Sequence, residues 1–347
     1  MLKKRALSSL LPSLSLLFGC ASQIRIGHFF IYDDGDAFMH SVALNTEKLL
    51  RDMGYGFSLY GANRKQSTQN AQVVEVLNKE TGTPLIVNIV DRLSASVLIE
   101  KAESMQTPLL FVNREPLSED MERTSWAKEN LYYVGADPDY QGRAQAEIAR
   151  DYFGGASLFK GSAFDKNGDG KLQVALFRGE LSHQDAESRS KNSLLALSEF
   201  GFEVELIDVR YCEWGREEGY AAMKKILQSQ ENVELLLSNN DMMALGAVDA
   251  LLEKEKELTE EEKALPFSYR HFPIVGVDGT SEGKKAVEEG SLIGTVLNDS
   301  EAQAEILAGL FAHLASGSEL PSLPDGTDKN GNFYHVEGSK ITAKTQE

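Results

Sequence analysis

Positive charge is what this chain has least of. Its 347 residues carry 35 Lys and Arg against 53 Asp and Glu, a formal charge of −18, and no basic patch interrupts the surplus. Such a surface repels nucleic acid and anionic headgroups, so neither is expected as a partner. Beyond the first twenty residues no apolar run approaches the ~20 residues that a transmembrane helix needs, which excludes a helical span in the body of the chain. Low-complexity tracts are missing as well. Cysteine is reduced to Cys20 and Cys212. With Cys20 assigned below to another use, one thiol remains and no internal disulfide can form, even in a compartment that allows one.

The first twenty residues read as an export signal rather than as part of the fold. Lys3, Lys4 and Arg5 make a basic start, residues 6–18 an apolar stretch, and Leu17, Phe18 and Gly19 lead into Cys20. An apolar residue two or three positions ahead of Gly-Cys resembles the lipobox of bacterial lipoproteins, which implies cleavage before Cys20 and its diacylation. A transmembrane anchor would need a longer run. Removing the signal takes away three positive charges and leaves about −21. The roughly 325 residues that follow exceed one typical core and suggest two domains.

The body alternates apolar runs with periodic, amphipathic segments. Runs at 25–31, 83–89, 107–112, 173–177, 203–208, 233–237, 273–277 and 292–297 are separated by helical patterns at 39–53, 67–79, 93–106, 139–152, 185–200, 215–228, 241–257 and 280–289. This alternation predicts an α/β fold of βαβ units with parallel sheets. Several runs end in a polar group: Asn113, then Asn239, Asn240 and Asp241, then Asp278, then Asn298. Asp and Asn are ordinary helix caps there. Four in register also suit a neutral ligand with many hydroxyls, because open parallel sheets bind outside the carboxyl ends of their strands.

Other residues add to that ligand chemistry. Asp185 and Arg189 lie four apart on one helix face, with His183 just ahead. They make either a simple i,i+4 salt bridge or a pair of planar groups that grip neighbouring hydroxyls. Trp214 falls in a turn, and Phe38 opens a helix after the acidic turn 33–36. Two aromatic rings could cover the apolar faces of a pyranose, although Phe38 also suits the core.

The segment from Asp165 to Gln173 is most of a calcium loop. Oxygen ligands fall at Asp165, Asn167 and Asp169, glycine at Gly170, a carbonyl at Lys171 and an amide at Gln173. The twelfth position is Leu176, inside an apolar run that reads as a strand, so the helix–loop–helix pattern fails. Either the loop is a polar turn, or its closing carboxylate comes from elsewhere in the chain.

Together these stretches resemble the periplasmic glucose/galactose-binding proteins of ABC sugar importers, over nearly the whole mature chain. The matching segments are 25–27 with 36–39, 88–91, 99–102, 111–116, 132–135, the calcium loop, 179–189, Trp214, 238–246, 276–278 and 294–299. The resemblance implies two Rossmann-like lobes joined by three hinge strands, a type I periplasmic-binding-protein fold. It places residues 24–135 and 299–332 in the N-terminal lobe, and 136–298 and 333–347 in the C-terminal lobe. It also implies that Glu234 closes the calcium site. Contacts to D-glucose or D-galactose would come from Asp36, Phe38, Asn113, His183, Asp185, Arg189, Trp214, Asn240, Asp278 and Asn298, with Phe38 and Trp214 sandwiching the ring.

One departure concerns the segment between Arg25 and Phe38, which has an extra residue, so the family's tyrosine before the acidic turn has no clear match among Phe30, Ile31 and Tyr32. The partners implied are the permease subunits of an ABC importer and a chemoreceptor, with the protein a monomer tethered only through its lipid. The alternatives are a receptor for ribose, another pentose or another hexose, and a glycoside hydrolase using two of Asp36, Asp185, Glu187 and Asp278. A transcription regulator of this fold would need an N-terminal helix-turn-helix in place of the export signal.

Overall fold

The computed structural model describes residues 24–229, 232–259 and 272–343. The expected export signal and Cys20 lie outside the described residues. Five parallel strands come first: β1 (Ile26–Ile31), β2 (Gly56–Gly61), β3 (Leu85–Val87), β4 (Leu109–Val112) and β5 (Leu131–Ala136). A second set follows, with β6 (Leu172–Arg178), β7 (Val204–Tyr211), β8 (Leu235–Ser238), β9 (Ile274–Asp278) and β10 (Gly294–Leu297). The chain ends in β11 (Thr327–Asn330), β12 (Phe333–Val336) and β13 (Lys340–Ile341).

These strands form two sheets, ordered β11-β12-β5-β4-β3-β1-β2 and β13-β10-β9-β8-β6-β7. All neighbours are parallel except β11 on β12 and β13 on β10. The fold is thus the expected pair of α/β lobes. Central strands read as unbroken apolar runs because helices cover both faces. In β1, Phe29 and Ile31 pack with the helices Ala37–Asp52 and Ser300–Ser316, while Phe30 enters the core on the other face with Val73, Leu77 and Leu98.

Several elements differ from the expected plan, among them β5 and the helix Ser300–Ser316, which were not among the expected runs and helical patterns. β2 was not legible as a strand because it is an edge, half-buried along its length, with glycine at both ends. The C-terminal boundary also moves. Residues 333–336 were expected in the second lobe, yet β12 pairs with β5 in the first sheet, and the chain crosses over only after Val336. Together with the crossings after Ala136 and Leu297, this gives three connections between the lobes.

Candidate binding cleft and metal loop

A cavity of about 230 Å³ lies between the two sheets, at the carboxyl ends of their strands. Asp36, Phe38, Asn113, His183, Asp185, Arg189, Trp214, Asn240, Asp278 and Asn298 all line it, with Tyr32, Asp33, Arg64 and Arg114. The first lobe supplies Tyr32, Asp36, Phe38 and Asn113. The second supplies His183 to Asp278, and Asn298 stands at a crossing.

Arg189 is the most constrained of these groups. It is 2% exposed, and its guanidinium donates to Asp185 Oδ2 at 3.0 Å, Gln141 Oε1 at 2.7 Å and the Asn239 carbonyl at 2.8 Å. The salt-bridge account of Asp185 and Arg189 is therefore correct as far as Oδ2 goes. Asp185 Oδ1, however, is buried with no partner, a costly state for a carboxylate oxygen unless a ligand fills it. Burial raises the Asp185 pKa, and Arg189 opposes the rise.

His183 caps the helix Gln184–Glu199: its Nδ1 accepts from the Asp185 amide at 3.2 Å. That bond leaves Nε2 as the protonated, donating nitrogen. Burial first, and the Arg114, Arg189 and Arg92 charges next, hold its pKa well below the usual value, so the ring stays neutral. It meets Trp214 edge-on, with centroids 5.0 Å apart. Trp214 sits at φ 67°, a strained backbone for a bulky residue. Its indole lies over Gly179, where a Cβ would come within 2.1 Å of the ring. Asn240 fixes this turn: its amide donates to the Trp214 carbonyl at 3.1 Å while its Oδ1 caps the next helix by accepting from Met243 N.

On the opposite wall, Asp36 caps the helix Ala37–Asp52 through Met39 N at 2.8 Å. Burial raises its pKa, while that amide, a hydrogen bond from Tyr32 and the Arg114 charge lower it. Tyr32 is therefore the tyrosine at the cleft. Phe30 and Ile31 are fully buried in the core. The strand-end rule could have found Tyr32, since it directly follows the apolar run of β1. Asn113 sits at φ 63°, and its Oδ1 accepts from Asn88 at 3.3 Å.

Three contacts join the lobes beside the cavity. Gln184 Nε2 donates to the Asn113 carbonyl at 2.6 Å, Arg114 Nη2 meets Glu180 Oε2 at 2.8 Å, and Arg64 Nη2 reaches the Glu213 carbonyl at 3.5 Å. Arg114 also stacks on the Tyr32 ring, 3.7 Å from its centroid. Glu187, raised above as half of an acid–base pair, is not among the residues lining the cavity and pairs with Arg178 at 2.6 Å. A larger hollow of about 520 Å³ beside Glu115, Lys128 and His335 has no buried unpaired polar atom among its lining residues.

In the expected calcium loop, Asp165 Oδ2 accepts from the Gly161 and Gly170 amides, which curls the chain. Glu234 is 1% exposed and accepts from Lys166 N and Gln173 N, which ties the distant carboxylate to both ends of the loop. Burial, and further down the Asp165 charge, raise its pKa. Asp165 Oδ1 and Gln173 Oε1 are buried without partners; both are oxygens at ligand positions, and a hard cation fits them. Asp169 is occupied by the Gln173 amide and Lys171 N. Among the described residues no three His, Cys, Asp or Glu side chains are gathered in a metal set, so a cation here would depend on amide and carbonyl oxygens as well.

Comparison with known proteins gives a consistent family. A family model for a periplasmic binding protein domain matches residues 26–319. The D-galactose/methyl-galactoside binding periplasmic protein of Haemophilus influenzae is 33% identical over 312 residues, covering 88% of this chain and 85% of that protein. The ribose import binding protein of Salmonella typhimurium is 23% identical, covering 75% of this chain and 74% of that protein. A solved ABC transporter solute binding protein from Bacillus halodurans with bound myo-inositol has a TM-score of 0.73 at 21% identity, covering 94% of this chain and 97% of that one. At that identity the likeness is one of fold.

Proposed function

This chain belongs to the periplasmic binding protein family, and we propose that it is the substrate-binding component of an ABC sugar importer that takes D-glucose or D-galactose into its interlobe cleft. The observation that carries this reading is the convergence of all ten expected side chains on one cavity of about 230 Å³. That volume is below the about 300–1,000 Å³ of pockets for drug-sized ligands, and it suits a single ring. Phe38 and Trp214 offer apolar faces, Asp36, Asp185 and Asp278 offer acceptors, and His183 Nε2, Arg189 and the amides of Asn240 and Asn298 offer donors. Asp185 Oδ1 has no other partner.

Both lobes hold the sugar only when closed, so binding shifts the population toward the closed form. A permease then reads that form, as does a chemoreceptor. Discrimination follows from the buried polar groups, since a misplaced hydroxyl leaves one of them unpaired. Titration calorimetry of the sugar-stripped protein with D-glucose, D-galactose and ribose tests this reading. Micromolar or tighter hexose binding that is lost in Trp214→Ala supports it. Ribose binding without hexose binding would replace the ligand, and no heat from any sugar would overturn the reading.

We further propose a structural Ca²⁺ held by Asp165, Asn167, Asp169, the Lys171 carbonyl, Gln173 and Glu234. A bound cation would neutralise two buried carboxylates and stabilise the second lobe by mass action, by about 4 kcal/mol at a thousand times its Kd. Adding EGTA should therefore lower the Tm of the wild type but not of Glu234→Gln, with sugar affinity nearly unchanged in chelator. Cys20 is the proposed lipid attachment site, and Cys20→Ser should release the protein from the membrane fraction.

A further inference from the structure

Asp241 stands one residue beyond the cleft, fully buried, and the sugar-binding reading assigns it nothing. It opens the helix Asp241–Glu255 directly after Asn240. Its Oδ2 accepts from the Thr280 amide at 2.8 Å and the Thr280 hydroxyl at 3.0 Å, and its Oδ1 accepts from the Thr295 hydroxyl at 2.6 Å. Thr295 in turn accepts from Gly279 N at 3.3 Å. One carboxylate thereby ties down both residues that follow Asp278. Glycines make room for it: a Cβ at Gly276 or Gly283 would come within 2.2 or 2.1 Å of its oxygens.

Asp278 itself has φ 111°, a conformation that costs a non-glycine residue energy and persists only where its surroundings impose it. Its carbonyl accepts from Asn298 N at 3.1 Å and its Oδ1 from Asn298 Nδ2 at 3.3 Å. We propose, building on the sugar-binding reading, that Asp241 is a positioning residue for Asp278, holding the 278–280 turn so that the Asp278 carboxylate faces the ligand.

Asp241 also carries charge beside Asp278, so removing that charge while keeping an acceptor should lower the pH at which Asp278 titrates. The charged groups facing Asp278 are Asp241, Asp36 and Arg189. Burial pushes Asp278 up to about 8; Asp241 and Asp36 add to the rise, and Arg189 and the Asn298 amide oppose it. Ligand hydroxyls donate to the ionised form. Wild-type affinity should therefore climb with pH toward about 8 and level off above it, with Asp241, itself raised to about 6 by burial, losing its charge toward the acid end of that range.

The test compares wild type, Asp241→Ala and Asp241→Asn. D-glucose and D-galactose affinities are measured from pH 6 to 9, and the Asp278 carboxyl is titrated by ¹³C NMR without ligand. Asp241→Ala should weaken hexose binding at least tenfold across the range. Asp241→Asn, which keeps an acceptor and loses the charge, should bind within about threefold of wild type at pH 9 while the midpoint of its pH profile and of the Asp278 titration moves to lower pH. A folded Asp241→Ala that binds like wild type overturns the proposal. So does an Asp278 titration unchanged in Asp241→Asn, the measurement that decides if the alanine variant fails to fold. Hexose binding absent from the wild type would count against the sugar reading instead, and the ligand-free titration would still judge the link between the two carboxylates.

Discussion

On the wall contributed by the second sheet, each ligand-facing group is already held by the protein. Arg189 is fixed by three acceptors, Asn240 clamps the Trp214 turn, and Asn298 holds Asp278. On the first sheet's wall part of the anchoring is looser and nearer to water. Arg64 has 47% of its side chain exposed, against 3% for Arg189, and it pairs with Asp33 in the acidic turn that holds the extra residue. The contrast lies at Arg64 and the acidic turn, since Tyr32, Asn113 and Arg114 on the same wall are as buried as the groups opposite. A receptor built this way gains selectivity from its buried groups and lets the acidic turn follow the ligand when the cleft closes.

Substitutions can separate the two walls. Asp185→Ala removes the unpartnered oxygen and strands the buried Arg189, so it should cost about 2–5 kcal/mol of binding free energy, measured by calorimetry with either hexose. Glu180→Gln acts between the walls. Arg114 and Glu180 are 7% and 18% exposed, and Glu180 does not line the cavity, so about 1–3 kcal/mol should be lost equally for glucose and galactose, chiefly as faster dissociation in stopped flow. A change in the ratio of the two sugars would show that Glu180 touches the ligand. Arg64→Ala, beside the acidic turn, should cost below about 1 kcal/mol. A larger loss there would mean that this turn is held as firmly as the wall opposite.

Legibility in the sequence followed the same physics. Most central strands were readable because burial on both faces forces long apolar runs, although β5, with its two tyrosines and a glycine, was not among them; the polar residue that ends each run located Asn113, Asn240, Asp278 and Asn298. Among the outer strands, β7 was readable as the run at 203–208, whereas β2 and β12 were not. β2 carries half-buried residues with no clear pattern, and β12 declares itself only through its pairing with β5. The helix Ser300–Ser316 is apolar around most of its surface because it packs on the first sheet and against the neighbouring helix Ala37–Asp52, and it has little periodic contrast to detect. Tyr32 and Arg114 each neighbour a recognised feature. What was hidden was their stacking, which depends on the lobes' three-dimensional packing rather than on spacing along the chain. Glu234 needed the resemblance to be found, since the structure alone brings a residue more than sixty positions away to Gln173 and Lys166.

The last strands complete both sheets. β12 is the strand beside β5, and β13 completes the edge at β10, so both sheets wait for residues near the end of the chain. Without residues 327–341 neither sheet has its full width. The pairing of 333–336 with 133–136 spans some two hundred residues, the kind of distant contact that forms slowly. The outer part of each sheet therefore depends on contacts between segments far apart in sequence, and β12 is where such a contact spans the greatest distance in the first sheet.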